Sequence, residues 1–394
     1  MSDIISQGSS LSRQGIRFTK LQETESNEII NKKPSYGQIW TAISLVSGTA
    51  VGAGILAVAS VSLKPGFIPS SITLISAWIV MAAVGFLTAE VTCNIAAQDK
   101  QSTDFGIISV TQRLFGTNWA RTIGLLFVAF HYTLLIAYNA EAGKIITQVI
   151  HIPVFLGPIL FTVVFGGIIA LSSTEVVNTV NNILFIMVVV AFLGLICMGV
   201  SGIHTKNLGY QNYTEVPSTV PILLIALVFH NVIPTICSNL NYHRNSICTA
   251  ITIGSLLPLI MFLLWNMVIL GMITDYHNNA NSNTLIDPVK ILLNTDNNSS
   301  SNRDFGKALV VIFSEAAITT SFIGFVISLM EYYTDILPNR SKKDIYLHIL
   351  ILIPPMLIAL GNPNIFLYAL DMAGAYGISV LFGLLPVALV LRLR

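Results

Sequence analysis

Three stretches put polar or backbone-exposing residues inside runs that are otherwise apolar. The first is Gly48-Thr49-Ala50-Val51-Gly52-Ala53-Gly54, three glycines in seven positions within the uncharged run Gln38–Leu63. Glycine is the poorest ordinary helix former, and without a Cβ it lets a backbone unwind or come close to a ligand. Two readings follow from the spacing. The glycines allow close helix–helix packing, as small-xxx-small motifs do. Alternatively they break the helix and turn free N–H and C=O groups toward a ligand, which lipid forbids unless protein or water meets them. The second stretch is Phe229-His230-Asn231, three residues before Pro234. The proline lacks a backbone donor and its ring clashes one turn back, so the helix is expected to loosen near His230. The third is Glu315 followed by Thr319-Thr320-Ser321. Glu315 and Thr319 share a helix face; the carboxylate could accept a proton or sit partly hydrated near the end of its run. Asp371 is a second, less specific proton-site candidate, and Tyr132 is a candidate pocket residue near mid-depth. Charged groups in such runs are functional candidates by default, because lipid makes them expensive.

The elements that carry these residues are membrane spans. Of 394 residues, 54% are hydrophobic and 10% charged, against ~25% charged in a soluble domain; the mean hydropathy is +0.75. A net charge of +1 with no basic patch gives no sign of a nucleic-acid partner. The four cysteines, Cys93, Cys197, Cys237 and Cys248, have the spacing of neither a metal site nor a disulfide framework. Residues 1–34 are polar and lack the apolar core of a signal peptide, so they read as a disordered cytoplasmic tail. Residues 35–394 form one polytopic domain of ten expected spans, at about 38–61, 67–92, 120–148, 154–173, 177–201, 218–239, 248–274, 305–332, 345–361 and 365–391. Fourteen of the 20 Lys and Arg residues fall on one side if both termini are cytoplasmic.

The two interrupted spans are the first and the sixth, so five spans separate their starts. An odd number per half inserts the halves, about 38–201 and 218–391, in opposite orientations. Broken helices at matching places in an inverted repeat point to a transporter site at the midplane. The half-helix N-termini would face a substrate carboxylate, and freed carbonyls would face an ammonium or small cation. That chemistry suits an amino acid. No nucleophile elbow, phosphate loop or metal-ligand spacing is present, so an enzyme is not expected, and no cofactor beyond a coupling ion is called for.

Several segments in order resemble the tyrosine/tryptophan permease family, part of the amino acid–polyamine–organocation superfamily with its LeuT-type fold. Gly48-Thr-Ala-Val-Gly-Ala-Gly-Ile-Leu-Ala57 is similar to that family's G-T-x-I-G-A-G-M-L-A. Phe229-His230 with Pro234 and Ser238 resembles F-H-x-x-x-P-x-x-x-S, and Thr320-Ser321-Phe322 with Gly324, Tyr332 and Asp335 resembles the eighth-helix stretch. Pro354-Pro355, Ala369 and Ala373-Gly374 match the closing helices. The resemblance implies an all-α, 5+5 inverted repeat and proton-driven uptake of aromatic amino acids through the cell membrane. It also implies that Gly48, Thr49, Gly52, Ala53, Gly54 and Phe229, His230, Asn231 hold the substrate. Three departures stand out. The fifth span lacks the lysine of bacterial members and has Val188 near its place; Asp371 stands where the family has a small or apolar residue; and relatives of this kind carry an eleventh span.

The expected function is therefore H⁺-coupled symport of an aromatic or neutral amino acid, such as tyrosine or tryptophan, by alternating access. Tyr132 and Phe229 would line the side-chain pocket, and Glu315 or Asp371 would carry the proton. Two alternatives stand beside it: Na⁺ coupling through Thr320, Ser321 and first-span carbonyls, and a non-transporting amino acid sensor. The expected partners are the substrate and the lipid bilayer.

Overall fold

In the computed structural model the described residues are 33–52, 54–98, 107–273, 300–337 and 344–393. The tail at residues 1–32 and Ala53 lie outside them. Among the described residues every regular element is helical. The first span consists of α1 (Tyr36–Val51) and α2 (Gly54–Ser62), which meet at 43°. The second and third are α3 (Phe67–Gln98) and α5 (Thr117–Ile150), joined through the short α4 (Ile107–Phe115), which the sequence reading had not placed. The fourth is α6 (Leu156–Phe161), a π turn over Thr162–Gly166 and α7 (Gly167–Leu171). The fifth is α8 (Thr174–Val200). The sixth is α9 (Val216–Ala226) and α10 (Ile233–Asn239), with a 3₁₀ turn at His230–Val232 between them. The seventh to ninth are α11 (Arg244–Met272), α12 (Ser300–Ile336) and α13 (Ile345–Gly361). The tenth is α14 (Phe366–Met372), a π-helix over Ala373–Leu384 and α15 (Leu385–Leu393).

Among the described residues seven segments are long and apolar enough to cross a membrane, the interrupted sixth and tenth spans included, and the bent α1–α2 pair makes an eighth, while Leu156–Leu171 and Ile345–Gly361 are shorter apolar helices. Each of the ten expected stretches is helical over most of its described residues. Several overshoot their expected ends: α3 runs 32 residues and α12 runs 37. At about 1.5 Å per residue these exceed the ~30 Å hydrocarbon core, and polar ends stay helical in the headgroup region because nothing there breaks them. One boundary needs correction: the eighth span, expected from 305, is already helical from Ser300.

The first span is fixed at its start by a capping box. The Ser35 hydroxyl accepts from the Gln38 amide (3.2 Å) and the Gln38 side chain accepts from the Ser35 amide (2.8 Å). The Gln38 side-chain amide also donates to the Asn239 carbonyl at the end of α10 (3.4 Å), so the two broken spans are tied at that end. The α1 half packs on α11, where Ser47 donates to the Gly254 carbonyl (2.8 Å), and on α8 and α12. The α8 helix carries a buried stripe, Val177, Asn181, Phe185, Val188, Phe192 and Leu195, against α12.

Candidate functional site

The first break begins after Val51. The helix runs through Gly48 and ends at Gly52, whose amide still reaches the Gly48 carbonyl (3.5 Å). What holds the open turn is α12. Ser321 donates to the carbonyls of Gly48 (2.9 Å) and Thr49 (2.8 Å), and Thr320 lies 3.1 Å from the Gly48 carbonyl. Gly52 is required by this contact, since a Cβ there would overlap the Ser321 hydroxyl.

The second break lies earlier than the proline alone implies. The α9 helix stops at Ala226, Leu227–Phe229 are non-helical, and Pro234 sits in the first turn of α10. There its missing N–H costs no helical hydrogen bond. The two breaks abut. A Cβ on Gly54, at the start of α2, would lie 2.8 Å from the Ala226 Cα at the end of α9. Only glycine allows two backbones so close.

Around this junction three buried polar atoms have no hydrogen-bond partner: Thr49 Oγ1, His230 Nδ1 and Asn231 Oδ1. Thr49 Oγ1 lies against Gly324 of α12, and the Asn231 side-chain amide points to the Gly324 carbonyl (3.5 Å). His230 holds the Met81 carbonyl of α3 with Nε2 (2.8 Å), which requires Nε2 to carry the proton and leaves Nδ1 as an open acceptor. Its ring lies between Phe229 (4.6 Å, stacked) and Phe382 of the tenth span (5.2 Å). Beyond Phe382 lie buried rings of the third and eighth spans. Phe130 meets Phe382 (5.4 Å) and Phe325 (6.1 Å), and Tyr138 meets Phe325 (5.7 Å). The Tyr138 phenol also reaches the Ser321 hydroxyl.

Of the expected substrate residues, Gly48, Thr49, Gly52, Gly54, His230 and Asn231 lie at or beside the two breaks, together with Thr320 and Ser321, which were expected in ion coupling. Ala53 falls outside the described residues. Two pocket residues are oriented otherwise. Phe229 turns its ring toward Gly85 of α3, and Tyr132 donates to the Leu350 carbonyl of α13 (2.7 Å), with the Tyr333 hydroxyl 3.5 Å away. The reason is helical phase. His131, one residue back and about 100° round, faces α12, and Tyr138, seven residues on, shares that face.

The two acidic candidates also separate. Glu315 is largely enclosed, with Oε1 buried and unpartnered and Glu141 of α5 as its charged neighbour. The Thr319 hydroxyl binds the Glu315 backbone carbonyl (2.7 Å) rather than its carboxylate. Asp371 is exposed on its helix. The sequence reading assigned no site role to His131, Tyr138, Ser328, Phe325 or Phe382. It also missed Glu331, which accepts from Thr235 of α10 (2.6 Å). A signal was available: Ser321, Gly324, Ser328 and Glu331 recur at intervals of three and four, one face of α12 turned to both broken spans.

The sequence matches known proteins along nearly its whole length. It is 27% identical over 365 residues to tyrosine-specific transport system 1 of Haemophilus influenzae, covering 89% of this chain and 87% of that one. It is 24% identical over 359 residues to glutamine transporter 2 of Aliivibrio fischeri, covering 89% and 88%. Among solved structures, MhsT in complex with L-phenylalanine superposes with a TM-score of 0.67 at 15% identity, covering 90% and 88%. Mhp1, a nucleobase-cation-symport-1 family transporter, gives 0.59 at 13%, covering 90% and 79%. These likenesses carry the fold, a LeuT-type helical transporter architecture with the first and sixth spans broken. The profile of the tryptophan/tyrosine permease family matches residues 35–394. The chain belongs to the tryptophan/tyrosine permease family.

Proposed function

We propose that this permease takes up an aromatic amino acid of the tyrosine or tryptophan type by H⁺-coupled symport, with its N-terminus in the cytoplasm. One observation carries the reading. Three buried polar atoms without a partner, Thr49 Oγ1, His230 Nδ1 and Asn231 Oδ1, belong to residues beside the two helix breaks, and Phe382, packed on Phe130, lies against His230. Buried polar atoms are normally satisfied, so this cluster suits a ligand with its own donors and acceptors. An α-ammonium can donate to the open acceptors and an α-carboxylate can face the N-terminus of α2. The aromatic wall suits a ring stacked edge-to-face or offset. Tyrosine- and tryptophan-specific relatives support that choice, and the glutamine transporter relative names the competitor to test. Alternating access is the cycle this reading implies: α12 hydrogen-bonds to both broken spans along one face, and parting that face would open one side.

A second reading, Na⁺ coupling, is favoured by a different observation. The Thr320 and Ser321 hydroxyls and the Gly48 and Thr49 carbonyls put four oxygens together, as hard cations prefer. Buried Val188 supplies no fixed positive charge in their place. Uptake of labelled tyrosine into proteoliposomes separates the two. Accumulation driven by an inward pH gradient in Na⁺-free buffer, competed by tryptophan but not glutamine, is expected. Accumulation that needs Na⁺ and ignores the pH gradient overturns the H⁺ reading.

A further inference from the structure

We propose that His131 is the proton-binding group that couples H⁺ to substrate, acting through Ser328 on the carbonyl of Asn231 at the sixth-span break. The inference rests on the H⁺-symport reading and names a residue outside the sequence candidates. His131 is fully buried near the middle of α5. Its Nδ1 lies 2.8 Å from the Phe127 carbonyl, its Nε2 3.0 Å from Ser328 Oγ, and Ser328 Oγ lies 3.0 Å from the Asn231 carbonyl.

The donors can be counted. A backbone carbonyl cannot donate, so Nδ1 carries a proton toward Phe127 in every state. Ser328 has one hydroxyl proton and two acceptors within reach. With neutral His131, Nε2 is a bare lone pair and competes for that proton, leaving the Asn231 carbonyl without it. When a proton from water adds to the Nε2 lone pair, Nε2–H donates to Ser328 Oγ. The hydroxyl then turns its own proton to Asn231, and all contacts in the chain are satisfied at once. No other bond forms or breaks, and the proton leaves from the same nitrogen on the far side of the cycle.

The rings of Phe127 (3.9 Å, tilted), Phe130 (5.4 Å, edge-on) and Phe325 (5.3 Å, edge-on) surround it. Such a cage opposes a charge by itself, so the hydrogen bonds to the Phe127 carbonyl and Ser328 are what an imidazolium would rest on. The titratable groups facing this cage are Tyr332, against Phe127, Tyr138, against Phe325, and His230 beyond Phe382; none of them hydrogen-bonds to His131. Glu315, by contrast, makes no side-chain hydrogen bond to either broken span.

The sign of coupling follows. Protonation fastens the sixth-span break to α12 and orders the substrate site, so proton and amino acid each bind better when the other is present. The test measures tyrosine affinity across pH on purified protein, together with proton uptake in weak buffer read by a pH dye. For the wild type, Kd is expected to weaken by up to about tenfold per pH unit as pH rises, with net proton uptake on binding. His131→Gln keeps a donor toward Ser328 and should hold Kd near the wild-type low-pH value at every pH. Ser328→Ala breaks the chain with His131 still present and should hold it near the high-pH value. Both should abolish substrate-linked proton uptake, opposite plateaus that a merely structural role does not produce. If His131→Gln does not fold, Ser328→Ala alone decides. A wild-type pH slope in either variant overturns the assignment, as does a slope abolished by Glu315→Gln and kept by His131→Gln. Wild-type protein with no pH slope and a strict Na⁺ requirement overturns the H⁺ reading itself, and shows this before any variant is made.

Discussion

Thr49→Val separates a binding hydroxyl from a structural one. Valine has the shape of threonine, so the close contact between residue 49 and Gly324 survives, and only Oγ1 is lost. That oxygen is buried and unpartnered in the empty protein. Removing a buried, unsatisfied polar atom relieves a desolvation cost of about 1–3 kcal/mol, so the empty variant should be at least as stable as wild type. In the complex the same oxygen faces the charged end of an amino acid. A hydrogen bond to a charged group contributes about 1.5–3 kcal/mol, or about 10- to 150-fold in Kd at 1.4 kcal/mol per decade. The signature is a split: thermal melting unchanged or raised, and tyrosine affinity lower by one to two decades. Calorimetric titration and a melting curve on one detergent preparation read both. Unchanged affinity would remove Thr49 from the site. A melting temperature that falls together with affinity would mean that the hydroxyl has a structural partner.

Further expectations follow from the junction. Gly54→Leu pushes a side chain into the Ala226 backbone and should abolish tyrosine binding while the protein still inserts, checked by membrane yield and gel filtration. Ser321→Ala removes the donor to the Thr49 carbonyl and one of those on the Gly48 carbonyl; a stability loss of about 1–2 kcal/mol and a severe fall in uptake are expected from denaturation curves and flux assays. Asp371→Asn, on the exposed face, should leave the tyrosine uptake rate and its pH profile as in wild type; a lost pH profile would return Asp371 to the coupling machinery.

The spans and both breaks were legible because their signals are local. Three glycines in seven residues and a proline after His-Asn disrupt apolar runs visibly, and an offset of five spans fixes their relation. Helical phase was not legible. The spans are apolar around much of their circumference, so no polar face reports which way a residue points. Tyr132 and His131 differ by about 100°, and the structure sends the first to α13 and the second to α12. Phe229, given to the pocket, turns instead to Gly85. Asp371 and Glu315 both read as intramembrane acids, and only packing shows one exposed and the other enclosed. The π-helix that brings Phe382 onto His230 has no sequence signature at all. The α12 stripe at Ser321, Gly324, Ser328 and Glu331 was readable, but small and polar residues at helical spacing do not announce two broken partners.

The central claim is that an amino acid sits where the two breaks abut. A structure determined with bound 3-iodotyrosine locates it through the anomalous signal of the halogen. Iodine is expected beside Phe130, Phe325 and Phe382, with the α-amino and carboxylate groups against Thr49, Asn231 and the first turn of α2. Iodine found only elsewhere, as in the pocket of about 350 Å³ lined by Cys93, Tyr242 and Arg244, with the junction unchanged, would contradict it.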